Sequence, residues 1–178
     1  METQHTQPTW RIDPDHSVIQ FKVKHLAIST ISGTFRSFKG EVYDLTQQFD
    51  NSEVYVEIDP NSIDTNHKIR DGHLKGEEFL DTECYPKIIF RGQLLKTSSG
   101  HAISGKLMVK GTEKQLRFDA EATGLGKGRN GDIRAGFEVE GKINRKDFGL
   151  TFNMFTETGG MIVGEEIKIQ LDIQLIRQ

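Results

Sequence analysis

The sequence predicts an all-β protein built from about eight antiparallel strands, with one short helix between strands. Two observations carry this. Apolar and polar residues alternate with a period of two through most of the chain, so each strand has one dry face and one wet face. Helical periodicity is confined to one charged stretch near residues 65–74.

Residues 1–9, rich in Thr and Gln and ending after Pro8, read as a disordered tail, and residues 10–178 as one domain. Trp10 to Asp13 is a short extended segment, Pro14 and Asp15 a turn, and Ser17 to Leu26 the first full strand. In it Ile19, Phe21, Val23 and His25 share one face, and Gln20, Lys22 and Lys24 the other. His25 ends an apolar stripe and needs a partner, which protein, water or a ligand could supply. After a link at 27–32, residues 33–44 form a second strand with Phe38, Gly40 and Val42 in phase. Phe35 is out of phase, which places a bulge near Arg36 and Ser37.

Ser52 to Pro60 turns Val54, Val56 and Ile58 inward. The helix then spans Thr65 to Leu74, capped by Asp64 or Thr65, and a loop runs to Pro86. Strands resume at Lys87 to Lys96 and Ala102 to Lys110, joined by a hairpin at residues 98–100. A turn at 111–113 leads to Gln115 through Gly124, whose dry face is Leu116, Phe118, Ala120 and Ala122. Residues 124–131 form a glycine-rich loop without the strand-turn-helix setting of a phosphate loop. Ile133 to Asn144 and Glu166 to Ile176 complete the set, with an irregular segment between them.

A sandwich and an up-and-down barrel both fit this pattern. Glycines at the inward positions 40, 92, 105 and 141 either leave room for a cavity, which favours the barrel, or serve tight strand bends.

Composition narrows the function. The 23 Lys and Arg are scattered among 26 Asp and Glu for a net charge of −3, so a nucleic-acid partner is not expected. Cys84 is the single cysteine, which excludes an internal disulfide and fits a reducing compartment. With no apolar signal core and no run long enough to span a bilayer, stable membrane insertion is not expected. The expected location is the cytoplasm, or the periplasm if a signal was removed. A homodimer is left open.

The chain resembles the YceI-like family of polyisoprenoid-binding proteins. The resemblance rests on Ile12-Asp13 with His16-Ser17, Val23-Lys24-His25-Leu26, Ser62-Ile63-Asp64-Thr65 and Arg70-Asp71-Gly72-His73-Leu74. It continues through Tyr85-Pro86, Gly136-Phe137, Ile143-Asn144-Arg145 and Asp147-Phe148-Gly149-Leu150 to Gly164 through Lys168. It implies a lipocalin-like barrel closed over an apolar tunnel that holds a prenyl or fatty chain, with no catalytic residues. The expected partner is a long-chain isoprenoid or fatty lipid, of prenyl diphosphate or quinone type, and no cofactor.

The tunnel wall is expected from Phe21, Val23, Phe38, Phe90 and Leu107, together with Phe118, Phe137, Ile167, Ile169 and Leu171. Core packing is the alternative for each of them singly. Phe148, Phe152, Met154 and Phe155, in the irregular segment, suit either a lid or a plug. His25, Arg70, His73, Asn144 and Arg145 are the candidates for a polar head group, although Arg70 and Asp71 could instead pair to brace the helix. His67 and His73 with Asp71 match no metal-ligand spacing. The rival readings are an enzyme using His25 or His73 as acid or base, and a barrel with a filled core that serves as an interaction module.

Overall fold

Two prolines and the Arg36-Ser37 break decide where the first strands bend. The computed structural model describes residues 9–178 apart from 155 and 161. Pro14 opens a 3-10 turn, Pro14–His16, between β1 (Trp10–Ile12) and β2 (Val18–His25). Pro60 opens another, Pro60–Ser62, between β5 (Ser52–Ile58) and β6 (Ile63–Asp64). Between these two breaks, the expected bulge at Arg36 and Ser37 is a full interruption separating β3 (Ser29–Phe35) from β4 (Phe38–Tyr43). The last two bends lie side by side: Arg36 N–H donates to the Ser62 carbonyl (3.2 Å) and Asp59 N–H to the Ser37 carbonyl (3.0 Å).

Each broken pair acts as one long bent strand. β1 and β2 both lie against the same partner, β11 (Val163–Arg177), while β4 and β3 continue the sheet on their other side. β7 (Ile88–Thr97), β8 (Gly100–Val109), β9 (Thr112–Lys127) and β10 (Ile133–Asn144) follow as a meander. Contact of β1 with β11 closes the circle β1-β4-β5-β7-β8-β9-β10-β11, an antiparallel barrel of eight strands. No sheet edge is left around this ring, and every strand has one face toward the axis.

Several boundaries differ from the sequence reading. The link at 27–32 shrinks to the turn 26–28, because Ser29 to Ser32 pair with β2. The turn after β8 is Lys110-Gly111, both at positive φ, so Thr112 and Glu113 already belong to β9. Residues 124–127 are strand, paired across Gly124 and Gly136 beside a register shift, and Ala122 is exposed there. α1 spans Lys68–Lys75 rather than starting at Thr65. Asn66 takes φ 60°, which breaks the helix, and His67 is the cap, its ring accepting from Arg70 N–H at 3.2 Å. Thr9, placed in the expected tail, is fixed by backbone bonds to Val42 and Gln178, and residues 1–8 lie outside the described residues.

One end of the barrel is packed solid. Asp44, 3% exposed, accepts hydrogen bonds from Thr46 N–H, Phe49 N–H and the hydroxyls of Thr46 and Ser52. That carboxylate winds residues 44–52 into a tight loop and drives Phe49 into the barrel. There Phe49 meets Trp10 (ring centroids 5.1 Å apart) and Phe137 (5.0 Å), over Val42, Leu94, Val139 and Leu175. On the outside Asp13 accepts from Arg134 (2.6 Å) and His16 (2.7 Å), tying the first bend to β10. Burial pushes the Asp13 pKa up, but these bonds outweigh it and hold the carboxyl below its usual range.

Candidate ligand tunnel

Toward the other end the inward side chains no longer meet. They surround a cavity of about 240 Å³. β2 supplies Ile19, Phe21 and Val23, and its neighbour β11 supplies Ile167, Ile169 and Leu171. Across the barrel stand Val56, Ile58, Ile88 and Phe90, then Ile103, Leu107, Leu116 and Phe118. A smaller hollow of about 70 Å³ lies deeper, sharing Ile19, Val56, Ile103 and Leu171 with the first and ending on Phe137 and Leu94. Together they make up the candidate tunnel, whose deep part is also lined by Glu41 and ends on Phe137, against which Phe49 packs from the closed end.

The inward glycines answer the alternatives left by the sequence in two ways. At Gly33, Gly40 and Gly141 a methyl group would collide with Phe21, Ile12 and Phe118 respectively, so these glycines let side chains lie flat against the wall. Phe21 and Phe118 thereby line the cavity without crossing it. Gly92 and Gly105 are paired directly, and a methyl on either would strike the opposite backbone, so they serve a close strand approach.

The mouth is roofed by Leu74 of α1, Phe79 and Leu80 just after it, Leu150 from the segment between β10 and β11, and Val163 at the start of β11. The rings of His73, Phe79 and Phe152 meet edge to face or tilted at 4.9–5.1 Å, joining the two halves of the roof. Among the described residues Arg145 is the one polar residue lining the wide cavity, and it is 2% exposed. Its guanidinium donates to the carbonyls of Leu150 (2.6 Å), Phe152 (2.8 Å), Gly164 (2.8 Å) and Val163 (3.3 Å). The segment is wound around this one cation, and burial lowers its pKa from the usual arginine value.

Most residues expected on the wall line the tunnel: Phe21, Val23, Phe90, Leu107 and Phe118 do, as do Ile167, Ile169 and Leu171, with Phe137 at the deep end. Phe38 does not, because it sits at the strand break, half-buried. The lid cluster divides. Phe148, 2% exposed, packs with Ile63, Leu80, Ile88 and Val109. Phe152 seals the roof, Met154 is 56% exposed, and Phe155 lies outside the described residues.

The five head-group candidates are not brought together. His25 ends β2 paired with Val163 at the mouth, but is not itself among the residues that line the cavity. Arg70 donates to the Thr65 hydroxyl and carbonyl (both 2.8 Å) while Asp71 accepts from Thr65, so both brace α1 through Thr65 rather than pairing directly. His73 bonds Glu78 (2.7 Å), and Asn144 caps the turn 145–148 by accepting from Lys146 N–H. Arg145 has its donors committed to backbone. Among the described residues no three His, Cys, Asp or Glu side chains gather as a metal site. Sequence reasoning missed the roof residues Leu74, Phe79, Leu80 and Leu150, whose segments lack the two-residue period that marks the strands.

A YceI-like domain model matches residues 10–175. The UPF0312 protein of Staphylococcus epidermidis is 37% identical over 166 residues, covering 90% of this chain and 93% of that one. Among solved structures, the Campylobacter jejuni YCEI protein superposes with a TM-score of 0.73 at 26% identity, covering 88% of this chain and 91% of its own. A polyisoprenoid binding domain from Saccharophagus degradans superposes with a TM-score of 0.71 at 12% identity, covering 97% and 100%, a likeness of fold.

Proposed function

The chain belongs to the YceI-like domain family, and on that premise we propose that it binds an isoprenoid or other long-chain lipid in its tunnel, shielding the chain from water as a carrier or store. The observation that carries this reading is a cavity of about 240 Å³ whose lining, among the described residues, is hydrophobic but for Arg145, with that residue's polar atoms turned to backbone. Burial of ten methylenes would contribute roughly 8 kcal/mol, on the scale of a micromolar Kd before ordering costs are subtracted. Such a site recognises length and girth rather than a polar pattern, which suits prenyl and fatty chains alike. The polar end of the lipid would rest at the roof, near His73 and Phe152. A cytoplasmic setting is proposed with it, supported by the single, exposed Cys84.

A catalytic reading has less to support it, since neither His25 nor His73 lines the cavity. Organic extraction of the purified protein followed by mass spectrometry tests the proposal. A chain lipid in near-stoichiometric amount is expected, replaced on incubation with prenyl alcohols up to a sharp length limit. Empty protein that takes up no prenyl alcohol or fatty acid of any length would overturn it.

A further inference from the structure

Around the mouth, large apolar side chains point into solvent from three separate elements. Ile28 is 83% exposed and Leu26 38% on the β2–β3 turn, Ile69 is 82% exposed on α1, and Met154 56% on the roof segment. These elements are linked. Leu26 N–H donates to the Ile162 carbonyl (2.8 Å), and Ile162 N–H donates to the Met154 carbonyl (3.0 Å). Phe152, two residues before Met154, meets edge to face with His73, which lies one helical turn after Ile69 on the same face of α1. The four tips therefore form a rim along the roof.

The turn that carries Ile28 also holds its backbone in an uncommon state. Leu26 and Ala27 take φ of 55° and 57°, a region where Gly or Asn would sit with less strain. A tip that needed only to turn would use such residues, and this one presents Leu and Ile to water instead.

We propose that this rim is a docking face for a lipid bilayer, with Leu26, Ile28, Ile69 and Met154 entering the outer layer while the tunnel mouth faces it. The proposal rests on the carrier reading, because a chain lipid bound for the tunnel must be drawn from a membrane. Charges of both signs, among them Lys24, Lys68, Glu77 and Glu78, border the rim, so the surface it fits is zwitterionic rather than strongly acidic. A fluid bilayer demands no shape match from tips on separate elements, whereas a protein partner would need a packed patch.

Flotation with phosphatidylcholine vesicles tests the rim apart from the tunnel. The wild-type chain is expected to float with the vesicles, and the I28S/I69S/M154S variant to do so at least tenfold less. Circular dichroism and loading of cis-parinaric acid from ethanol should be unchanged in that variant, while uptake from vesicles slows tenfold or more. In Ile28→Trp the new indole emission should shift to the blue on adding vesicles, against the buried Trp10 as constant background. Equal flotation of variant and wild type, an unshifted emission, or a dimer that the triple variant abolishes without any vesicle binding would each overturn the proposal. Failure of cis-parinaric acid to load from ethanol into either protein, with flotation intact, would instead count against the carrier reading alone.

Discussion

The two ends of this barrel are made from the same strands and filled in opposite ways. Ile19 and Leu171 stand where the deep hollow meets the wide cavity; below them Trp10, Phe49 and Phe137 interlock, and above them the walls stay apart. Alternation along the strands does not make this difference, since it continues through both halves. The loops do. At the closed end Asp44 winds a loop that sends Phe49 inward, whereas at the mouth Arg145 winds a segment that lies across the opening as a roof. The closed end thus owes part of its filling to one side chain borne on a turn, Phe49, which packs behind Phe137 where the deep hollow ends.

The sharpest way to break the contrast is Phe49→Ala. Loss of a buried ring should cost about 3–5 kcal/mol in urea unfolding, and the tunnel should then accept chains longer than the wild-type limit. An unchanged length limit would show that the plug does not set depth. Arg145→Met comes next. Hydrogen bonds to a charged group contribute about 1.5–3 kcal/mol each, with strong non-additivity, so a loss of about 3 kcal/mol is expected. Faster hydrogen exchange confined to residues 149–164 should accompany it, and exchange that rises evenly over the whole barrel would contradict the local anchoring.

Filling the hollow should act in the other direction. Leu107→Trp adds volume where space exists, so stability should change by less than about 1–2 kcal/mol while chain-lipid affinity falls at least tenfold. A large destabilisation would mean that the cavity walls are already in contact. The smallest effect is expected at Asp13. Its folded pKa lies below the unfolded value near about 4, so the stability it contributes is full above that pH and is lost as pH falls through the folded value. Asp13→Asn should flatten the acid limb of a melting-temperature profile and leave the alkaline limb parallel to wild type.

Strands and wall residues were legible in the sequence because a period of two states directly which side chains share a face. Phe21, Leu107 and Ile169 followed from it, and so did the eight-strand count once each bent pair is taken as one strand. What the period could not give was the content of the turns. Phe49 lies outside every alternating run, and nothing before folding shows that Asp44 will gather the N–H of a residue five positions on. That the head-group candidates are not gathered in one place has a related reason. Arginine and histidine near a mouth suggest a ligand, but Arg145 and Arg70 are spent on carbonyls of their own loops, which only the folded chain brings within reach.

A lipid-binding role requires a hollow that persists and accepts a chain. A crystal structure of the protein incubated with a prenyl alcohol tests it most directly. Continuous density should run from beneath Phe152, between Phe21 and Phe118, toward Phe137, with the wall side chains close to their present positions. Side chains collapsed across that space, with Leu107 and Ile169 in mutual contact and no added density, would contradict it.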